Sequence, residues 1–230
     1  TKQVASHWGG TRNGTIVHWP KGIKAKGEQR SQFSHVIDVA PTILEAAGIP
    51  EPLSVDGIQQ DPIDGVSMLS SFTDAGAPEV HDTQYFEVMG NRAIYHKGWT
   101  AVTKHYTPWI QGARIPLDDD VWELYNTTTD WSQARDLAKE MPDKLREMQR
   151  LFIIEATRFK VLPLDDRMFE KINPDTAGRP VLIKGKTQLL AGGMGHLGEN
   201  CMLSIKNKSH TVTAEIVVPA TEKCEPCHGS

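Results

Sequence analysis

The sequence predicts an α/β segment, then a four-stranded antiparallel sheet with one packed helix, then a partial β-rich extension. Three observations carry this. A β-branched run, Gly14 to Trp19, leads through a basic loop into a helical pattern within "HVIDVAPTILEAAGIP". Four aromatic or β-branched segments lie between Thr83 and Tyr125. One long apolar period then runs onward from Pro142.

Taken in order, residues 1–50 read as the end of an α/β layered domain. Gly14 to Trp19 is a strand closed by Pro20. In "HVIDVAPTILEAAGIP", Asp38 can cap and Pro41 suits a first helical turn. Ile43, Leu44, Ala46 and Ala47 form the apolar face, and Gly48 with Pro50 stops the helix. Residues 51–82 are rich in Pro, Gly, Asp and Ser and predict a connecting loop, with a brief helical turn around Val66 to Leu69.

Residues 83–166 change texture. "TQYFEVM", "RAIYH", "WTAVT" and "VWELY" are strands, the first three at hairpin distance. A helix from about Pro142 sets Leu145, Met148, Leu151, Phe152 and Ile154 on a broad apolar face that can cover the sheet. From 172 to 230, "PVLIKG", "TQLLAGG", "CMLSIKN" and "HTVTAEIVVP" read as short strands of an incomplete sandwich or roll.

With 230 residues, 39% apolar and 23% charged, the chain can bury a real core and is neither disordered nor membranous in composition. No run approaches the roughly 20 apolar residues that a bilayer needs. A net charge of -4 excludes a global positive field for nucleic acid. The local run Lys21 to Arg30 reads as a solvated loop. The chain opens on Thr1 without a leader, as expected if an upstream part has been removed or if this is a piece of something longer, so compartment is not legible there. Three cysteines in a chain this long make no disulfide framework.

The chemistry-bearing stretch is at the start. Lys2, His7, Gly9, Gly10 and Arg12 could form an oxyanion site, because glycine lets an anion approach backbone N–H groups and cations add charge-assisted bonds. The same glycines could make a plain turn, with Arg12 in a structural ion pair and Trp8 in the core. "CEPCH" (Cys224 to His228) fits a haem-attachment string, and misses Cys-x-Pro-x-Arg only at His228. It reads as exposed tail cysteines near the end of the chain. Asp118 to Asp120 reads as a polar loop rather than a hard-metal cage, since consecutive carboxylates diverge. Asn13, Asn126 and Asn207 match the glycosylation sequon at chance frequency. No Ser/His/Asp order, P-loop or dinucleotide fingerprint stands out.

In order, "GGTRNGTIVHWPKGI", "HVIDVAPTILEAAGI", "RAIYHKGWTAV" and "WELYNTTTDWSQARDLA" resemble the C-terminal portion of bacterial-type arylsulfatases, over residues 2 to 166. These are formylglycine-dependent sulfatases of the alkaline-phosphatase-like fold, and a β-extension in one subgroup resembles residues 172 to 219. The resemblance implies a sulfuric ester hydrolase acting on a small-molecule sulfate ester, commonly outside the cytoplasm, in the periplasm or secreted. It implies a formylglycine nucleophile made from Cys-x-Pro-x-Arg, beside a calcium ion. Lysine and histidine side chains hold the sulfate oxygens, where fixed cations stabilise developing charge.

The family's loop lysine matches Lys2, although the spacing to Gly9 is one residue longer here; His7 is the rival for the same catalytic and substrate-binding role. The nucleophile and the Ca2+ ligands are expected upstream of Thr1, so no metal ligand is assigned and the segment alone is expected to be inactive. A phosphodiesterase or phosphonate monoester hydrolase of the same superfamily is an alternative. A non-enzymatic carbohydrate-binding module is another, and it would require aromatics clustered on a solvent face.

Overall fold

The computed structural model describes residues 6–107, 115–167, 183–190 and 202–211, with single positions 170 and 178. The chain divides into two units, Thr1–Met168 and Phe169–Ser230.

The first unit is built on a four-stranded antiparallel sheet of β3 (Thr83–Val88), β4 (Asn91–His96), β5 (Trp99–Thr103) and β6 (Trp122–Asn126), in that spatial order. The β3–β4 turn places Met89 and Gly90 at positive φ, and the β4–β5 turn does the same with Lys97 and Gly98. Turns of this hand match the twist of the flanking strands. Pairing aligns Phe86 with Ala93, Ala93 with Val102 and Val102 with Glu123 across the sheet. Because side chains alternate along each strand, this register sorts the residues into two faces.

One face carries Tyr85, Ile94, Ala101 and Leu124, and helix α4 (Pro142–Arg158) covers it. Met148, Phe152 and Ala156, at four-residue spacing, join Ile94, Ala101 and Leu124 in a core with almost no exposed surface. Each large side chain buried there contributes about 1.5–3 kcal/mol. Leu145 and Leu151 pack at its margin, whereas Ile154 is 59% exposed. The helix is narrower on its buried side than the sequence pattern implies, since 3.6-residue periodicity carries Ile154 past the edge of the sheet.

The other face carries Gln84, Phe86, Ala93, Tyr95, Thr100, Val102, Glu123 and Tyr125. The chain's N-terminal segments pack here. Phe33 stacks on Tyr95 with ring centroids 3.9 Å apart, and His35 meets Phe86 edge-on at 5.6 Å.

Helix α2 (Val39–Ala47) follows a 3-10 turn, Val36–Asp38, and ends at Gly48 with φ +67. Its buried contact is polar: Thr42 donates to Asp38 O at 2.6 Å and accepts from Met68 N–H at 3.0 Å. Ile43, expected on the buried face, is exposed instead: the buried position is its neighbour Thr42, and successive helix positions turn by about 100°. Asp38 does not cap α2. Its carboxylate turns back to His35 N–H at 2.6 Å and also accepts from Val66 N–H at 2.8 Å.

The expected strand at Gly14–Trp19 does not form among the described residues. Ile16 is 97% exposed, and an extended run without ladder partners is not a strand. The connecting region holds a small hairpin, β1 (Ser54–Val55) with β2 (Ile58–Gln59), turning at Asp56-Gly57. A short helix, α3 (Leu69–Thr73), follows one turn later than expected.

In the second unit a two-stranded hairpin forms, β7 (Ile183–Lys184) with β8 (Thr187–Gln188). Residues 202–207, within the expected strand "CMLSIKN", contain no strand. "HTVTAEIVVP" from residue 212 onward and the Cys224 to His228 tail lie outside the described residues.

Candidate functional site

The stretch from Ser6 to Arg12 folds as a single helical turn, α1 (Trp8–Thr11). Gly10 and Thr11 N–H both donate to His7 O, at 2.8 and 3.0 Å, and Arg12 N–H donates to Trp8 O at 3.0 Å. These amides close the turn, so they are not an anion cradle. The Gly-Gly pair therefore does the structural job of the two weighed from the sequence.

His7 is 2% exposed. Its Nε2–H donates to Glu123 Oε2 at 3.0 Å, and Ser6 Oγ lies 3.0 Å from its Nδ1. A carboxylate only accepts, so Nε2 carries a proton. Glu123 also accepts from the Tyr125 hydroxyl. Burial and the Glu123 charge push the Tyr125 pKa far above its ordinary value, so its proton stays on this pair.

Trp8 is held next to it. Its backbone N–H donates to Gln133 Oε1 at 2.8 Å, and Gln133 Nε2 donates onward to Thr100 Oγ1 at 2.9 Å. Gln133 is buried and sits at φ +54, a left-handed conformation unusual for a residue with a Cβ. Arg12 stacks over Trp8 at 4.6 Å and lies 5.7 Å from the Trp131 ring. Among the described residues it makes these cation–π contacts and no ion pair of the kind considered from the sequence.

Of the two candidates from the sequence, His7 is thus placed in a buried pair, and Lys2 lies outside the described residues. Glu123 and Gln133 were missed. For Glu123 the signal is present in "WELY": Leu124 faces α4, so strand alternation turns Glu123 and Tyr125 to the opposite face, whereas no local pattern singles out Gln133 in the loop beyond the strand.

Among the described residues, no three His, Cys, Asp or Glu side chains converge to hold a metal ion. The Asp118 to Asp120 run does not fit calcium, because its members separate. Asp118 and Asp119 are exposed in a 3-10 turn, while buried Asp120 accepts from Arg92 and from His105 Nδ1 at 2.9 Å. A second buried cluster ties α2 to β3. His81 Nδ1 lies 2.8 Å from both Asp38 oxygens and its Nε2 donates to Gln84 Oε1 at 3.0 Å. The strand aromatics do not form an exposed platform: Tyr95 and Tyr125 are buried, and Tyr85, Phe86, Trp99 and Trp122 pack against the two core clusters.

A helix-backed antiparallel sheet that holds a short glycine-bearing turn on its polar face is the class of unit that these elements define. Residues 9–153 match the family described as N-sulphoglucosamine sulphohydrolase, C-terminal, and the chain belongs to that family of sulfatase C-terminal domains. It is 31% identical over 168 residues to an uncharacterized sulfatase of Schizosaccharomyces pombe, covering 71% of this chain and 28% of that protein. It is 24% identical over 178 residues to an N-acetylglucosamine-6-O-sulfatase of Bacteroides thetaiotaomicron, covering 76% of this chain and 28% of that one. A solved structure of a protein with its substrate D-glucosamine-2-N,6-O-disulfate aligns at a TM-score of 0.46 and 23% identity, over 66% of this chain and 30% of that one. The chain spans between a quarter and a third of the length of these relatives. No helix among the described residues is long and apolar enough to cross a membrane.

Proposed function

We propose that this chain is the C-terminal part of a sulfuric ester hydrolase of the arylsulfatase type, acting on a sulfate ester carried by a small molecule. The observation that carries this reading is the match of residues 9–153 to the sulfatase C-terminal family. The name of the Bacteroides relative supports a sulfated sugar as the substrate class. In this reading the formylglycine nucleophile and Ca2+ belong to residues upstream of Thr1, and the segment alone does not turn over substrate. The periplasm or the cell exterior is the compartment that fits the family.

Lys2 is the direct contact to the sulfate oxygens. His7, whose ring nitrogens face Glu123 and Ser6, acts by holding the chain that carries Lys2. An ammonium near the developing charge lowers the barrier, and removing one such contact costs about 10²–10³ in rate.

The test is release of p-nitrophenol from p-nitrophenyl sulfate by the full gene product. Wild type hydrolyses it, Lys2→Ala falls by about 100-fold or more, and residues 1–230 alone release none. Wild-type rates in Lys2→Ala overturn the loop assignment. Preference for bis-p-nitrophenyl phosphate over the sulfate overturns the sulfatase reading in favour of a phosphodiesterase.

A further inference from the structure

We propose that Glu123 and Gln133 are positioning residues for the sulfate-binding loop, a role that rests on the reading of Lys2 given above. Two neighbouring residues of the loop are gripped by two different residues, one on the sheet and one in the segment that leaves it. The His7 ring is held by Glu123 on β6, and the Trp8 backbone by Gln133 in the turn that follows β6. One grip acts on a side chain and one on the main chain, so both the direction and the height of the segment are set.

The anchor is stiff on the sheet side. Glu123 accepts from Tyr125 two residues along the same strand. Gln133 uses both ends of its amide, one on Trp8 and one on Thr100 of β5. Its φ of +54 costs free energy in a residue with a Cβ, and buried contacts maintain it. A residue spent in that way, inside a turn that could have used glycine, is there for its side chain. On the loop side, α1 is closed by three backbone bonds and capped by the Arg12 stack on Trp8. The clamp therefore fixes the loop just five residues from Lys2. A five-residue leash reaches at most about 18 Å, so moving its anchor moves the volume in which the ammonium can sit. A displacement of about 1 Å in a catalytic group is enough to cost about 100-fold in rate.

Neither residue touches substrate in this scheme; each acts through His7 or Trp8. Two measurements test it. In residues 1–230, amide hydrogen exchange of Trp8 to Arg12 is compared in wild type, Glu123→Ala, Glu123→Gln and Gln133→Ala. In the full gene product, kcat and KM for p-nitrophenyl sulfate are measured for the same variants. The expected result is at least tenfold faster exchange at Thr11 and Arg12 in Glu123→Ala and Gln133→Ala, with β4 amides unchanged. Hydrolysis then falls at least tenfold, and Glu123→Gln recovers part of it because its amide oxygen still accepts from His7 Nε2–H.

Unchanged exchange in both alanine variants overturns the clamp. So does a loosened loop with wild-type hydrolysis, provided that Lys2→Ala is inactive. If Lys2→Ala retains full rate while the exchange result stands, the clamp is real and the sulfate-loop reading is what fails. Should Glu123→Ala not fold, Glu123→Gln and Gln133→Ala decide by the same two readouts.

Discussion

His81 Nδ1 sits 2.8 Å from each carboxylate oxygen of Asp38, an acid with no exposed surface. That carboxylate also accepts the backbone N–H groups of His35 and Val66. One side chain therefore joins the turn before α2, the loop before α3 and the segment entering β3. Removing one partner of a buried pair of this kind leaves the other uncompensated, at about 3–5 kcal/mol. Asp38→Ala is expected to lower the urea midpoint of residues 1–230 accordingly, while His81→Gln, which keeps a donor, costs less. Equal midpoints for Asp38→Ala and wild type would refute this role.

The same pair makes stability depend on pH from both sides. Burial opposes the charge on Asp38, but bonds from His81 and from the His35 and Val66 amides outweigh it and lower its pKa. Burial likewise opposes the charge on His81, and the Asp38 bond and attraction outweigh it and raise its pKa. The lowered acid stabilises the fold above the ordinary carboxyl value of 3.8, and this is lost as pH falls through the folded pKa. The raised imidazole stabilises below the ordinary 6.5, and this is lost as pH rises through its folded pKa. Thermal unfolding against pH is expected to show a maximum between those limits, flattened in Asp38→Asn.

Three tyrosines hold their protons more tightly than the free side chain. Tyr95 and Tyr125 are pushed far up by burial and by the carboxylates of Glu79 and Glu123, and Tyr85 is raised mainly by burial. In a 295 nm absorbance titration, these three are expected to ionise only above pH 10, Tyr95 and Tyr125 together with unfolding. Ionisation of all the tyrosines near the free value in the folded chain would contradict the buried pairs.

Phe152 fills the space between α4 and the sheet, with its ring edge-on to Trp122 at 5.8 Å. Phe152→Ala is expected to cost about 3–5 kcal/mol by lost transfer energy and a residual cavity. Ile154→Ala, on the same helix but largely exposed, is expected to cost less than about 1 kcal/mol. Denaturant midpoints of the two variants check the contrast.

Gly65 passes directly over the backbone of the 3-10 turn. A Cβ there would lie 2.1 Å from Ile37 O, a main-chain atom that cannot swing aside. Gly65→Ala is expected to destabilise by about 1–3 kcal/mol and to weaken the Val66 bond to Asp38. Unchanged exchange at the Val66 amide would count against it.

The local period of the chain determined much of this protein. Aromatic and β-branched alternation in "TQYFEV", "NRAIYH", "WTAVT" and "WELYN" specified four strands, and glycine turns between the first three specified their hairpin order. Pro142 and the spacing of Met148 and Phe152 specified the covering helix. These features are legible because each depends on neighbours a few residues away.

Only the tertiary structure decided which residues hold the loop at Ser6 to Arg12. His7 and Glu123 are 116 residues apart, and nothing in either segment names the other. The β-branched run at Gly14–Trp19 shows the converse limit. Its composition favours a strand, but a strand exists only where another supplies the hydrogen-bonding edge, and that is a property of the fold around it. The Gly-Gly pair follows the same rule: its flexibility was evident from the sequence, and its use in a closed helical turn was settled by the carbonyl of His7.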